Sequence, residues 1–201
     1  MNAKQSIRVL IIPGLHGSPE DHWQSWLTRQ YRLCTRVEVS DWSTPDLLAW
    51  STAIHHAMDQ HPDTIWIAVA HSFGCLGLTH HLLNRQARHC QGMNGIAAAL
   101  MVAPASPLKF ALESLVVDKA LGIPCSLIAS ENDPWLSLQE ARTLSKHWRC
   151  DLINKGKVGH INVASGFGPW PWIRQKTDTL IREQLTVQRL SAQAPENAPC
   201  T

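Results

Sequence analysis

Residues 65–69, Ile-Trp-Ile-Ala-Val, form an unbroken apolar run that ends at Ala70-His71-Ser72-Phe73-Gly74. Beyond it, Cys75, Leu76, Gly77, Leu78, Leu82 and Leu83 recur in a helix-compatible pattern. The apolar run reads as a strand covered on both faces. One polar residue among small neighbours, where a buried strand gives way to a helix, is the layout of a nucleophile elbow. A seryl oxygen is a weak nucleophile unless a turn holds it clear of the packed layers and a base takes its proton. The sharp turn does the first, and it aims the N–H of Phe73 at a developing oxyanion. Small residues are needed two positions before and two after the serine, because backbones nearly touch there. Gly74 meets that need. Ala70 meets it with one methyl to spare, where glycine is usual. The same string also reads as a strand-to-helix turn with a capping serine, so the rest of the chain has to decide.

Strand and helix patterns alternate along the sequence. Residues 7–12 are a short apolar strand ending in the glycine-rich loop Pro13-Gly14-Leu15-His16-Gly17-Ser18-Pro19. Residues 20–27 read as a helix with Ser18 as N-cap, Pro19 at its first position, and Glu20 and Asp21 at the positive end of its dipole. Trp23, Trp26 and Leu27 share one face and are assigned to the core. Residues 35–39 predict a second strand, and helical period runs from Asp46 through Leu47, Leu48, Trp50, Ile54 and Met58. Past the elbow helix, residues 91–95 read as a turn, and residues 96–102, 123–129 and 151–154 as strands four to six. Helices are expected over residues 138–148 and 172–185. This alternation predicts an α/β fold, a parallel sheet clothed on both faces. Its site should lie beyond the carboxyl ends of the strands, near the topological switch point. With no repeat or linker, residues 1–188 are expected to form one domain. Residues 189–201 are expected to form a mobile tail, aperiodic and rich in Ala, Pro, Gln and Asn from Ser191 onward.

Composition narrows the function. A chain of 201 residues, 44% hydrophobic and with a formal net charge of +2, has room for one good core and no strong field toward nucleic acid or membrane. No apolar run is long enough to span a bilayer. The N-terminal residues lack the apolar region and cleavage site of a signal peptide, so a cytoplasmic protein is expected. The six cysteines, at 34, 75, 90, 125, 150 and 200, form no C-x-x-C pair, and reduced thiols are expected. The pairs His55-His56 and His80-His81 lack metal-ligand spacing, so neither metal nor cofactor is expected.

A base and an acid for Ser72 must come from the ends of other strands. The fifth strand runs out at Ser130-Glu131-Asn132-Asp133-Pro134-Trp135, and the sixth at Lys155-Gly156-Lys157-Val158-Gly159-His160-Ile161-Asn162. Ser72, Asp133 and His160 follow the Ser…Asp/Glu…His chain order of α/β-hydrolases. His147, the other histidine after Asp133, lies inside a predicted helix. Glu131 and Asp151 are the rival acids; Asp151 opens a strand and Glu131 lies nearer its strand, whereas Asp133-Pro134 is a stiff turn suited to holding a carboxylate. Under this assignment Ser72 attacks an acyl carbonyl, His160 carries the proton, and Asp133 fixes the imidazole tautomer. The oxyanion donors are the N–H groups of Phe73 and of Leu15, with His16 as second choice. Residues 103–122 are the whole connection between the fourth and fifth strands, which leaves no room for a large cap. An open, shallow pocket follows. Phe110, Leu115, Trp135 and Trp170 are candidate apolar walls, each equally readable as core, and His16 is a further pocket candidate.

Five segments together carry a resemblance. Pro13-Gly14 with Gly17-Ser18-Pro19-Glu20-Asp21-His22-Trp23, His71-Ser72-Phe73-Gly74, Ser130-Glu131-Asn132-Asp133-Pro134, Gly159-His160-Ile161-Asn162 and Ser165-Gly166-Phe167-Gly168-Pro169-Trp170-Pro171 resemble the small α/β serine hydrolases of the retinoblastoma-binding-protein-9 and YdeN group. The similarity spans about residues 7–185. It implies a six-stranded parallel sheet of order 2-1-3-4-5-6, a Ser72/Asp133/His160 triad, and carboxylesterase or aminopeptidase-like activity on a small-molecule acyl substrate. Two other readings stay open at this point: a binding scaffold with vestigial catalysis, and cysteine chemistry at Cys75.

Overall fold

The structure is a computed structural model that describes residues 5–87 and 95–193. Six strands, β1 (Ser6–Ile12), β2 (Cys34–Arg36), β3 (Thr64–His71), β4 (Ile96–Val102), β5 (Cys125–Ala129) and β6 (Asp151–Asn154), alternate with five helices. The helices are α1 (Trp23–Thr28), α2 (Leu47–Asp59), α3 (Phe73–Ala87), α4 (Leu138–Trp148) and α5 (Pro171–Gln193). All strand pairs are parallel, in the order β2-β1-β3-β4-β5-β6, as the resemblance implied.

The period-two alternation of strands sorts the core into two layers. Leu10 and Ile12 of β1, Ala68 and Ala70 of β3, Ala99 and Met101 of β4, and Leu127 of β5 face Trp50, Ile54, Leu76 and Trp148 of α2, α3 and α4. Their alternates Val9, Ile11, Val69, Leu100, Val102 and Ile128 face Trp23 and Leu27 of α1 and Ile173 of α5. Small residues on the first face, Ala68, Ala70 and Ala99, let α3 settle close to the sheet. Because both faces are covered, β3 is buried along its whole length.

Several boundaries differ from the sequence reading. Helix α1 begins at Trp23 rather than residue 20, with His22 as N-cap: its side chain accepts the Gln24 N–H. Ser18 is drawn inward instead, donating to the side-chain oxygen of the buried Gln24 at 2.6 Å. The Gln24 amide in turn donates to Ile12 and Val69 at the ends of β1 and β3. Strand β2 stops at Arg36 and β5 starts at Cys125, after Pro124, which has no N–H to give a ladder. The closing helix runs on to Gln193, so residues 189–193 are helical where a tail was expected; residues 194–201, and residues 91–94 of the turn expected over 91–95, lie outside the described residues.

The reduced-thiol expectation also needs correction. Cys125 and Cys150 form a disulfide. Ser126 and Asp151 are register partners in the β5–β6 ladder, which brings the residues just before them to a Cα separation of 4.9 Å, within disulfide range. Cys34 and Cys75 are free, and burial pushes both thiols up, Cys34 to about 11. A cysteine nucleophile at Cys75, fully buried and held protonated, finds no support. Among the described residues no helix is long and apolar enough to cross a membrane.

Candidate active site

Strand β3 delivers Ser72 into a tight turn before α3. Ser72 has φ +53°, in the left-handed region, where a residue with a Cβ sits at a cost of roughly 1–2 kcal/mol. Neighbours lock it there: its N–H donates to Val102 at the end of β4 (3.1 Å), and its carbonyl accepts the Cys75 N–H (3.0 Å). A methyl on Gly14 would lie 2.8 Å from the Ser72 Cβ and 3.2 Å from the Phe73 nitrogen. The loop after β1 therefore runs directly along the elbow, and no other residue type fits at Gly14 without moving it.

The loops after β5 and β6 meet at the same edge. His160 Nε2 lies 2.9 Å from Ser72 Oγ, and His160 Nδ1 lies 2.9 Å from both carboxylate oxygens of Asp133. Both side chains are almost wholly buried. An ionised carboxylate only accepts, so Nδ1 carries the imidazole proton and Nε2 offers its lone pair to the serine hydroxyl. Asp133 also accepts the Trp135 N–H at 2.8 Å, which fixes its orientation. The two loops are sewn together: Val158 N–H donates to Ser130 Oγ, and Gly159 N–H to Asn132 Oδ1. Gly159 has φ +64°, and a Cβ there would stand 2.4 Å from Ser165 Oγ. The rival groups go elsewhere. Glu131 is exposed and takes the Asn154 side-chain amide, Asp151 is exposed at the start of β6, and His147 sits in α4.

The His16 N–H donates to the Trp42 carbonyl at 2.8 Å, which removes the second-choice oxyanion donor. Leu15 N–H makes no hydrogen bond among the described residues. Phe73 opens α3, where the first N–H groups have no partner within the helix. Gly14, next to Leu15, packs against Ser72 and the Phe73 nitrogen, which brings both segments to the elbow.

The pocket candidates divide. Trp135 is 43% exposed with its ring centroid 6.2 Å from that of His160. Phe110 stacks on it at 6.1 Å and meets Phe73 edge-on at 5.1 Å. The exposed Leu108 is a near neighbour in sequence. Trp170, by contrast, is not a wall: it is buried against Trp23, Phe167 and Trp172 in the layer under α1 and α5. Leu115 is core, and His16 is exposed at its loop.

Two buried histidines beside the site escaped the sequence reading, which used His71 and His22 only as motif letters. Their ring centroids are 5.0 Å apart, and that of His71 is also 5.0 Å from His160. Burial is the main reason that His22 drops to about 4, with the Arg36 guanidinium adding to it. Burial likewise holds His71 well below the ordinary imidazole range, helped by His160 and His22. A histidine flush against a nucleophile motif was the only available signal.

The parallel sheet, its strand order and the serine at the turn after β3 define an α/β-hydrolase fold. The chain belongs to the serine hydrolase family, whose model matches residues 9–179. Among solved structures it is similar to a YdeN-like hydrolase of Pectobacterium atrosepticum, with 32% identity, 85% of this chain and 88% of that one covered, and a TM-score of 0.75. The ydeN gene product of B. subtilis shares 20% identity over 88% of this chain and all (100%) of that one, with a TM-score of 0.69. Est1E of Butyrivibrio proteoclasticus, solved with ferulic acid bound, shares the fold at 15% identity, 92% coverage of both chains and a TM-score of 0.66. No curated protein matches the chain.

Proposed function

We propose that the protein hydrolyses a small or exposed ester, amide or thioester through an acyl-enzyme on Ser72. The observation that carries this reading is the series of contacts Asp133–His160–Ser72, each 2.9 Å long. His160 takes the hydroxyl proton as Ser72 Oγ attacks the acyl carbonyl, and Asp133 stabilises the imidazolium that results. The negative oxygen of the tetrahedral intermediate turns toward the N–H groups of Leu15 and Phe73, each such donor contributing about 3 to 4 kcal/mol. His160 then protonates the leaving group. Water attacks the acyl-serine by the same route in reverse, and the acid leaves.

Between β4 and β5 the chain carries only two short 3-10 turns, Pro107–Phe110 and Glu113–Leu115, which favours an open site over a buried lipid tunnel. Trp135 and Phe110 supply its apolar side. A panel of p-nitrophenyl acyl esters and aminoacyl-arylamides, with Ser72→Ala as blank, tests the reading. Turnover of short-chain esters that vanishes in the blank is expected. Equal rates for wild type and Ser72→Ala across the panel would overturn it.

A further inference from the structure

The mechanism gives His71 no task, although it directly precedes Ser72. Its Nε2 lies 3.0 Å from the backbone carbonyl oxygen of His160. A carbonyl only accepts, so Nε2 bears a proton and the ring donates. One residue further along, the Ile161 carbonyl accepts the indole N–H of Trp23 at 2.8 Å. Two consecutive carbonyls of the base loop are thus each held by a ring N–H from a buried side chain. The His160 amide completes the set by donating to Ser165 Oγ at 3.0 Å.

The loop needs such holding. Strand β6 ends at Asn154, so no ladder reaches His160. Gly159 and Ile161 flank it with φ +64° and +50°, a backbone path that neither helix nor strand sustains. Proton transfer tolerates little misplacement of the base. We infer that His71, together with Trp23, is a positioning residue that sets the imidazole of His160 against Ser72 by gripping the main chain of the base loop. The inference rests on the hydrolase reading. His71 suits the task because burial, helped by His160 and His22, keeps it neutral: these two rings face it on either side and Trp23 meets it edge-on. Arg36 and Asp21 act on His22 behind it. A second cation there would oppose the imidazolium that His160 must become.

The test compares His71→Met, which matches glutamine in length but lacks the N–H, with His71→Gln, which retains a donor, and with Trp23→Phe, which keeps a ring without one. Active sites are first titrated with a fluorophosphonate, so that kcat refers to competent enzyme only. In His71→Met, kcat per titrated site is expected to fall about ten- to a hundredfold while KM stays within about twofold. His71→Gln should recover most of that loss. Trp23→Phe should also lower kcat, and the double variant His71→Met/Trp23→Phe should lose less than the product of the two, because both act on one loop. Wild-type kcat per site in His71→Met, or equal loss in the Met and Gln variants, would overturn the inference. Should His71→Met not fold, nitrogen-15 spectra of the wild-type histidine rings decide: a neutral His71 with its proton on Nε2 is expected, and one with its proton on Nδ1 contradicts the grip. A wild type that never labels at Ser72 would refute the hydrolase reading instead, and the spectra would still judge the hydrogen bond.

Discussion

A methyl on Gly74 would stand 2.5 Å from the carbonyl oxygen of Pro13, so α3 and the loop after β1 meet backbone to backbone. That contact holds the two proposed oxyanion donors in one frame, since Leu15 lies two residues past Pro13 and Phe73 immediately precedes Gly74. Gly74→Ala is expected to push them apart, lowering kcat/KM by about a hundredfold or more and stability by about 1–3 kcal/mol. Ala70→Gly is its counterpart. The Ala70 methyl is fully buried in the layer under α3, so removing it should cost about 1 kcal/mol of stability with little change in rate. Urea unfolding and steady-state kinetics on the best ester measure both.

Asp133→Asn keeps the side chain's shape and removes its charge. Without a carboxylate to accept from Nδ1, His160 loses the tautomer that leaves Nε2 free, and kcat should fall by about 10⁴-fold. Glu131→Gln, at an exposed carboxylate that accepts the Asn154 side-chain amide at 2.9 Å, should leave kcat within about twofold of wild type. A large loss in Glu131→Gln with Asp133→Asn near wild type would return the acid assignment to Glu131.

The His22 shift has a signed consequence. Its imidazole titrates near 6.5 in an unfolded chain and at about 4 in the fold. Between those values the unfolded chain takes up a proton that the folded chain refuses. Stability is therefore complete above about pH 6.5 and declines as pH falls toward 4, by roughly 3 kcal/mol from this group. His71 acts in the same direction. His22→Asn retains an acceptor suited to the α1 N-cap and should flatten the decline, as read from urea midpoints at pH 7, 6, 5 and 4. An unchanged slope would show that His22 does not titrate in this way.

The Cys125–Cys150 bridge closes a loop with a sequence separation of 25. Closing a loop of that size stabilises a fold by about 3 kcal/mol on the chain-entropy account. Cys125→Ser should lose that amount, and reductant should lower wild type to the level of the variant without moving the variant further. Free-thiol counting with and without reductant checks the bridge itself.

Much of the architecture was legible because each strand announces itself locally. The near-continuous apolar runs of β1, β3 and β4 follow from burial on both faces, and the helical period from Asp46 onward marks α2, which Asp46 caps. The chain order of Ser72, Asp133 and His160 pointed to three loops that do converge. What escaped depends on partners distant in sequence. His22 replaces Ser18 as the α1 cap because Gln24 pulls Ser18 inward. The disulfide arises from the β5–β6 register, which no cysteine spacing reveals. Trp170 is readable from the sequence as wall or core alike, and only its ring contacts with Trp23 and Trp172 decide for core. The grip of His71 and Trp23 on the base loop joins residues 89 and 138 positions apart, and composition carries no trace of it.

The most direct measurement is mass spectrometry of the intact protein and its peptides after exposure to a fluorophosphonate. One adduct per chain, located on Ser72, absent from Ser72→Ala and formed far more slowly in His160→Ala, is the predicted result. Folded wild-type protein that stays unmodified at high probe concentration, or that carries its adduct on another residue, would contradict the account.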